Sequence, residues 1–284
     1  MSFCPFDILL QAARQGGYAV GAFNIFGLEF LPGILQAAQE ERSPVLLAVN
    51  PIHFSLSQIS DYISYVKSQI HRAAVPIGLH LDHGKNIDVI LRAIQVGFPS
   101  VMFDGSRLPY DENVAVTREI VNLCKKINVT VEAELGTLND EGLDLTEETR
   151  DRLFTDPHAA QDFVKATGID ALAISIGNAH GVYRGEPKLD FARLQAIRSK
   201  VPVPLVLHGG SGIPDQDFRQ AIQLGINKIN IYTEMSHAAA ITSKEILNSA
   251  GAPQDYPSTL VKAREAVQEV VRHKLRVFGS AGKA

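Results

Sequence analysis

Three of the nine histidines, His83, His180 and His208, each stand just past a short apolar, β-prone run. Neutral imidazoles suit zinc, and a catalytic zinc site takes three protein ligands while leaving a further position for water or substrate. The spacing is too wide for a local ligand motif, so a fold must gather them; any one alone reads more readily as a structural or surface histidine. The other histidines keep that plainer reading, including His80, whose place inside a run suggests a core or supporting role. Asp82 precedes His83 directly, and strand alternation should send the two side chains in different directions, one to bind metal and one to move protons. Otherwise Asp82 is a helix N-cap or an acceptor for a ligand histidine. Asp104 and Glu134 end the next two runs, where they would bind a second cation, orient the histidines or form salt bridges.

The segment His208-Gly209-Gly210-Ser211-Gly212 has a different chemistry. Glycines let backbone N–H groups approach an anion, and a helix beginning near Pro214 would add its dipole. That is a phosphate cradle beside a candidate metal ligand; the plainer alternative is a tight turn. Asn230-Ile231-Tyr232-Thr233 follows the last run, and in a barrel the loops after strands seven and eight commonly hold phosphate.

Positioning these residues requires strands that end together. Eight apolar runs alternate with amphipathic stretches: Ala19–Phe23, Val45–Val49, Ile77–Leu81, Ser100–Phe103, Thr130–Ala133, Ala171–Ile176, Pro204–Leu207 and Lys228–Ile231. This alternation signals a parallel sheet with helical crossovers. An open doubly wound sheet would alternate likewise, but the polar residues favour a (β/α)8 TIM barrel. Asn24, Asn50, Asp82, Asp104, Glu134, His180, His208 and Asn230 stand at or close to the C-terminal ends of runs, which share one rim in a barrel. Asn86 and Asp190 open helices, Pro214 lies in the first turn of another, and Gly97 and Gly225 close two. An extra N-terminal helix, about Pro5 to Gly16, would cover the barrel floor, and Pro257–Phe278 forms a C-terminal helical extension. Residues 1–284 read as one domain. The polar segment Gly136–Asp156 exceeds the usual crossover loop of about 2–6 residues and looks like a lid, or else a tolerated surface insertion.

A length of 284 residues suits one barrel, and 45% hydrophobic with 20% charged residues marks a chain able to bury a large core. A net charge of −4 gives no field for nucleic acid or an anionic membrane, so an anionic substrate must be held locally. With only Cys4 and Cys124, a secreted disulfide framework is not expected. The N-terminus lacks an export pattern, and no apolar run approaches the ~20 residues of a membrane span. A reducing cytoplasm is the expected location.

The stretches Gly17-Tyr18-Ala19-Val20-Gly21-Ala22-Phe23-Asn24, Leu79-His80-Leu81-Asp82-His83-Gly84, Ser100-Val101-Met102-Phe103-Asp104-Gly105-Ser106 and Val131-Glu132-Ala133-Glu134-Leu135-Gly136 carry a wider resemblance. So do Gly177-Asn178-Ala179-His180-Gly181-Val182-Tyr183, Leu205-Val206-Leu207-His208-Gly209-Gly210-Ser211-Gly212 and the tail Phe278-Gly279-Ser280-Ala281-Gly282-Lys283-Ala284. Together they make the whole chain resemble the class II, metal-dependent ketose-bisphosphate aldolases, such as fructose- and tagatose-bisphosphate aldolases. The resemblance implies a lyase that joins or splits sugar phosphates through a zinc-stabilised enediolate, with dihydroxyacetone phosphate as one partner. It implies that His83, His180 and His208 bind catalytic Zn²⁺ and that Asp82 donates a proton to the aldehyde-derived oxygen. Asp104 and Glu134 match positions that hold a second divalent metal. Gly181, Gly209, Gly210, Ser211, Asn230, Ile231, Tyr232 and Thr233 correspond to the dihydroxyacetone phosphate site, with Asn24 also facing substrate. A Na⁺ or K⁺ ion is expected beside that site on backbone carbonyls. The base that removes the α-proton is a loop glutamate, here Glu141, with Glu147 and Glu148 behind it. A homodimer or homotetramer is expected from the family.

Departures cluster where the aldehyde should bind. Asn50-Pro51-Ile52-His53-Phe54 replaces a small Ser- and Gly-containing turn, and Asp255-Tyr256-Pro257-Ser258 lacks the arginine often used for a distal phosphate. Tyr232 stands where a smaller or acidic residue is usual, and Arg184 where lysine is common; Arg184 can still hold a phosphate. Two other readings remain: a noncatalytic aldolase-like partner subunit, and a metal-dependent barrel hydrolase, whose usual early His-x-His pair is missing.

Overall fold

A computed structural model describes residues 3–27, 29–52, 59–138, 153–181, 183, 185, 187–249 and 255–284. Eight strands, β1 (Val20–Asn24), β2 (Val45–Val49), β3 (Ile77–Gly84), β4 (Ser100–Phe103), β5 (Thr130–Leu135), β6 (Ala171–Ile174), β7 (Leu205–Leu207) and β8 (Ile226–Ile231), close in chain order into a barrel. Every neighbouring pair is parallel, including the closing pair of β8 with β1. Buried on both faces, these strands can be apolar on consecutive residues, which is why the runs are visible in the sequence. The observed β3 and β5 run past the expected ends, so Asp82, His83 and Glu134 belong to strands.

The crossover helices are α2 (Phe30–Glu40), α3 (Ile59–Arg72), α4 (Ile87–Gln95), α5 (Tyr110–Lys125), α6 (Pro157–Thr167), α7 (Phe191–Lys200) and α8 (Asp215–Gln223). Asn86 and Asp190 cap α4 and α7 by accepting from Val89 N and Arg193 N, as the sequence suggests. After β8 come α9 (Thr233–Asn248) and the long α10 (Tyr256–Val277), which packs on α2 and α9. The C-terminal tail is tied down: Gly282 N donates to Glu41 O at 2.8 Å and Ala284 N to Arg42 O at 2.9 Å. Among the described residues, no helix is long and apolar enough to cross a membrane. Most of the expected lid, 139–152, lies outside the described residues.

Two apolar cores result. One fills the space between strands and helices. The other is inside the barrel, where Phe6, Leu9, Leu10 and Ala13 of α1 (Phe6–Gly16) meet Val20, Ala22, Leu46, Met102, Ala173 and Val206. This helix is the expected cover of the floor, and Phe6 stacks on His80 with ring centroids 4.9 Å apart. Phe6→Ala should therefore lower the unfolding free energy by about 3–5 kcal/mol, the range for deleting a buried aromatic. Denaturant midpoints at unchanged slope would measure it; a loss under about 1 kcal/mol would mean the helix does not close the barrel.

Candidate active site

The strand ends surround a cleft of about 930 Å³, within the size range of small-molecule sites. One wall of it carries a break in regular strand geometry. Between Leu81 and Gly84, β3 carries one more residue than β4 does between Val101 and Phe103, a bulge. His83 takes the strain, with φ of 52°, a left-handed conformation that costs a non-glycine residue about 1–2 kcal/mol. The expected alternation of Asp82 and His83 is thereby cancelled. Both line the cleft, with His83 Nε2 3.9 Å from Asp82 Oδ1.

His83, His180 and His208 do converge. The ring of His83 lies 4.8 Å from that of His180 and 4.6 Å from that of His208, both edge-on, and one nitrogen from each falls within 4.8 Å of the others. His208 Nε2 approaches Glu132 Oε1 at 2.7 Å, whereas its Nδ1 is buried without a hydrogen-bond partner. Burial, with the charges of Lys228 and His83, holds His208 well below the usual imidazole pKa, so the ring is neutral. A buried imidazole nitrogen without a hydrogen-bond partner, beside two further imidazoles, fits a zinc ion.

His83 is held from behind, its Nδ1 3.1 Å from Asp104 Oδ2. Asp104 also accepts from Ser106 Oγ at 2.7 Å. Burial opposes a charged His83, but Asp82, the hydrogen bond with Asp104 and the charge of Glu134 outweigh it and raise the pKa to about 9. Glu134, buried with Oε2 making no hydrogen bond, is pushed up to about 8, first by burial and then by Asp104. His83, Asp104 and Glu134 form a second cluster with metal-binding spacing, sharing His83 with the first.

Asn24 and Asn230 line the cleft and turn their amide nitrogens to Asp82: Asn24 Nδ2 donates to Oδ2 at 2.8 Å and Asn230 Nδ2 to Oδ1 at 2.9 Å. Burial would raise the Asp82 pKa; the neighbouring His83, His208 and Lys228 and the Asn24 hydrogen bond prevail and hold it at about 2.

Across the cleft, Gly209 has φ of 63°, and a Cβ there would stand 2.1 Å from Ala179 O, so only glycine fits. Tyr183 clamps this turn, accepting from Ala179 N at 2.8 Å and donating to Gly209 O at 2.9 Å. Gly181, Gly209, Gly210, Ser211, Asn230, Tyr232 and Thr233 all border the cleft. Ile231 does not: alternation along β8 turns its side chain outward into the core. The helix expected to offer its N-terminus, α8, is not represented in the lining and carries Asp215 and Asp217 in its own first turn. α9 reaches the cleft through Thr233, with Glu234 N donating to Ser211 Oγ at 3.2 Å, and α4 reaches it through Val89 and its cap Asn86. Glu141, Glu147, Glu148 and Arg184 lie outside the described residues, as do His53 and Phe54.

The sequence reading passed over two charged residues that support the site, Glu132 and Lys228. Both are fully buried, with Lys228 Nζ 2.8 Å from Glu132 Oε2. The signal was present: a charge inside a strand of a closed barrel, in phase with inward neighbours such as Glu134 and Asn230, must find its partner in the interior.

Comparison with known proteins agrees with this architecture. Residues 5–283 match the family described as Fructose-bisphosphate aldolase class-II. A fructose-bisphosphate aldolase of Staphylococcus aureus (strain Mu50 / ATCC 700699) is 40% identical over 279 residues, covering 97% of each chain. The crystal structure of the YdjI aldolase from Escherichia coli K12 matches with a TM-score of 0.89 and 37% identity over 99% of each chain. The fructose-bisphosphate aldolase (Fba) of Campylobacter jejuni shares the fold at a TM-score of 0.84 and 22% identity, over 99% of this chain and 97% of that one. Matched over nearly its whole length, this chain belongs to the class II fructose-bisphosphate aldolase family and is an aldolase-type lyase.

Proposed function

We propose that the protein reversibly cleaves a ketose 1-phosphate or 1,6-bisphosphate, of fructose- or tagatose-bisphosphate type, into dihydroxyacetone phosphate and an aldehyde. The observation that carries this reading is the placing of Asp82, gripped by two amides and set 3.9 Å from both His83 and His208. A proton acceptor beside three imidazoles is what retro-aldol chemistry needs. His83, His180 and His208 would hold zinc, which when bound supplies Lewis acidity that stabilises negative charge developing on a ketone oxygen. Asp104 then serves to orient His83; a second divalent cation with Glu134 would have to displace that hydrogen bond.

In cleavage, Asp82 takes the proton of the substrate hydroxyl that becomes the aldehyde carbonyl. The carbon–carbon bond breaks, its electron pair moves towards the ketone oxygen, and the carbon left behind is protonated. We assign that last proton to Glu141. Condensation reverses each transfer, so Asp82 becomes the donor. No lysine Schiff base is required. The glycine turn and the N-terminus of α9 offer backbone N–H groups to the phosphate of dihydroxyacetone phosphate. The opposite wall, with Phe26, Pro51 and Ile52 and the basic Lys85 and Arg107, is where the aldehyde is selected.

Offering dihydroxyacetone phosphate with a panel of aldehydes should give carbon–carbon bond formation that chelation abolishes and borohydride leaves intact. Covalent trapping of substrate on a lysine would overturn the metal mechanism. Asp82→Ala should lower kcat by about 10²–10⁴-fold while the zinc content stays near that of the parent; a change confined to KM would remove Asp82 from proton transfer. With its pKa raised to about 9, His83 favours the protonated ring at neutral pH in the metal-free centre, and a protonated imidazole has no lone pair for a metal. Zinc affinity should therefore rise as pH rises towards 9, with about one proton released per zinc near pH 7. Calorimetry in buffers of different ionisation enthalpy reads that proton directly; a pH-independent affinity would contradict it.

A further inference from the structure

The barrel interior holds an ion pair that proton transfer does not use. Glu132 and Lys228 precede Glu134 and Asn230 by two residues on their strands, and both are completely buried. Lys228 Nζ reaches across to both carboxylate oxygens, at 2.8 and 3.1 Å. Such a pair is a poor source of stability, since lost hydration offsets the attraction and a well-packed apolar pair often does as well. Its geometry points elsewhere. Glu132 Oε1 meets His208 Nε2 at 2.7 Å, while His80 Nε2 stands 3.5 Å from the other oxygen. A carboxylate with an ammonium on both oxygens is an acceptor for any further contact, so the His208 proton belongs on Nε2. The lone pair is then on Nδ1, which is buried, makes no hydrogen bond and turns towards the cleft, 3.9 Å from Asp82 Oδ1.

We infer that Glu132, clamped by Lys228, is a positioning residue that fixes both the tautomer and the ring plane of His208, so that Nδ1 is the atom presented to metal. The inference rests on reading the three imidazoles as zinc ligands. It also gives the pair a reason to exist, because outer partners of metal-bound histidines commonly govern metal affinity about 10–100-fold.

The tautomer can be read without a variant. Nitrogen spectra of the zinc-free full chain, with labelled histidine and with His208 assigned by its loss in His208→Asn, should show protonation at Nε2; protonation at Nδ1 overturns the inference. Zinc affinity gives the second test, measured by competition with a chromophoric chelator. Replacing the pair together, as Glu132→Met with Lys228→Met, removes the acceptor and both charges while keeping the volume, and should weaken zinc binding about 10–100-fold. Glu132→Gln with Lys228→Met returns an acceptor oxygen to the same place and should recover most of that affinity. Parental affinity in the first variant, or no recovery in the second, overturns the inference. A parent chain that binds no zinc would instead defeat the metal-site reading itself.

Discussion

Eight parallel strands closed into a barrel send every second side chain into an interior that bulk water does not fill, and the site follows from how that interior is satisfied. Towards one end the filling is apolar and sealed by α1. Towards the other it is polar and ionisable: Glu132, Lys228, His80, Asp82, His208 and Glu134 are all buried. Groups so placed must pair with one another, since an unpaired buried charge costs several kcal/mol. Each pairing consequently fixes an orientation. Two asparagines aim Asp82, Asp104 aims His83, and Glu132 aims His208.

The bulge in β3 extends the same logic to the backbone. A regular strand would put adjacent residues on opposite faces, and either Asp82 or His83 would be lost to the cleft. One extra residue and a left-handed φ of 52° at His83 bring both to the same side. Strain of this kind persists only where surrounding structure holds it, here the pairing of Leu81 with Val101 and of Gly84 with Phe103. Proton acceptor and candidate metal ligand thus become immediate neighbours in chain and in space.

Much of this was legible beforehand, for identifiable reasons. Doubly buried strands leave continuous apolar runs, so β2 and β4 read true to the residue, and polar residues closing those runs marked the rim. Asn86 and Asp190 were readable because side-chain capping is local chemistry. What alternation predicts failed at His83, because a bulge is set by pairing with a neighbouring strand and leaves no mark in either strand alone. Alternation along β8 turns the Ile231 side chain away from the cleft. It would also have flagged Glu132 and Lys228 as partners. That α9, rather than α8, brings its first turn to the glycine turn was beyond reach, because it depends on how the barrel rim is traversed after β8.

The seam between β8 and β1 joins Lys228 to Val20, about two hundred residues apart in the chain. A nascent chain emerging from the ribosome therefore carries β1 as an open edge until β8 has been made. His208 and Lys228 arrive late in that sequence, and Glu132 waits for both. The three imidazoles are all in place in the chain before β8, whereas Lys228 comes only with β8, so the Glu132–Lys228 pair forms together with closure. Until then the exposed edge and the unpaired interior charges are liabilities of the kind that slow folding and invite aggregation in long-range β topologies.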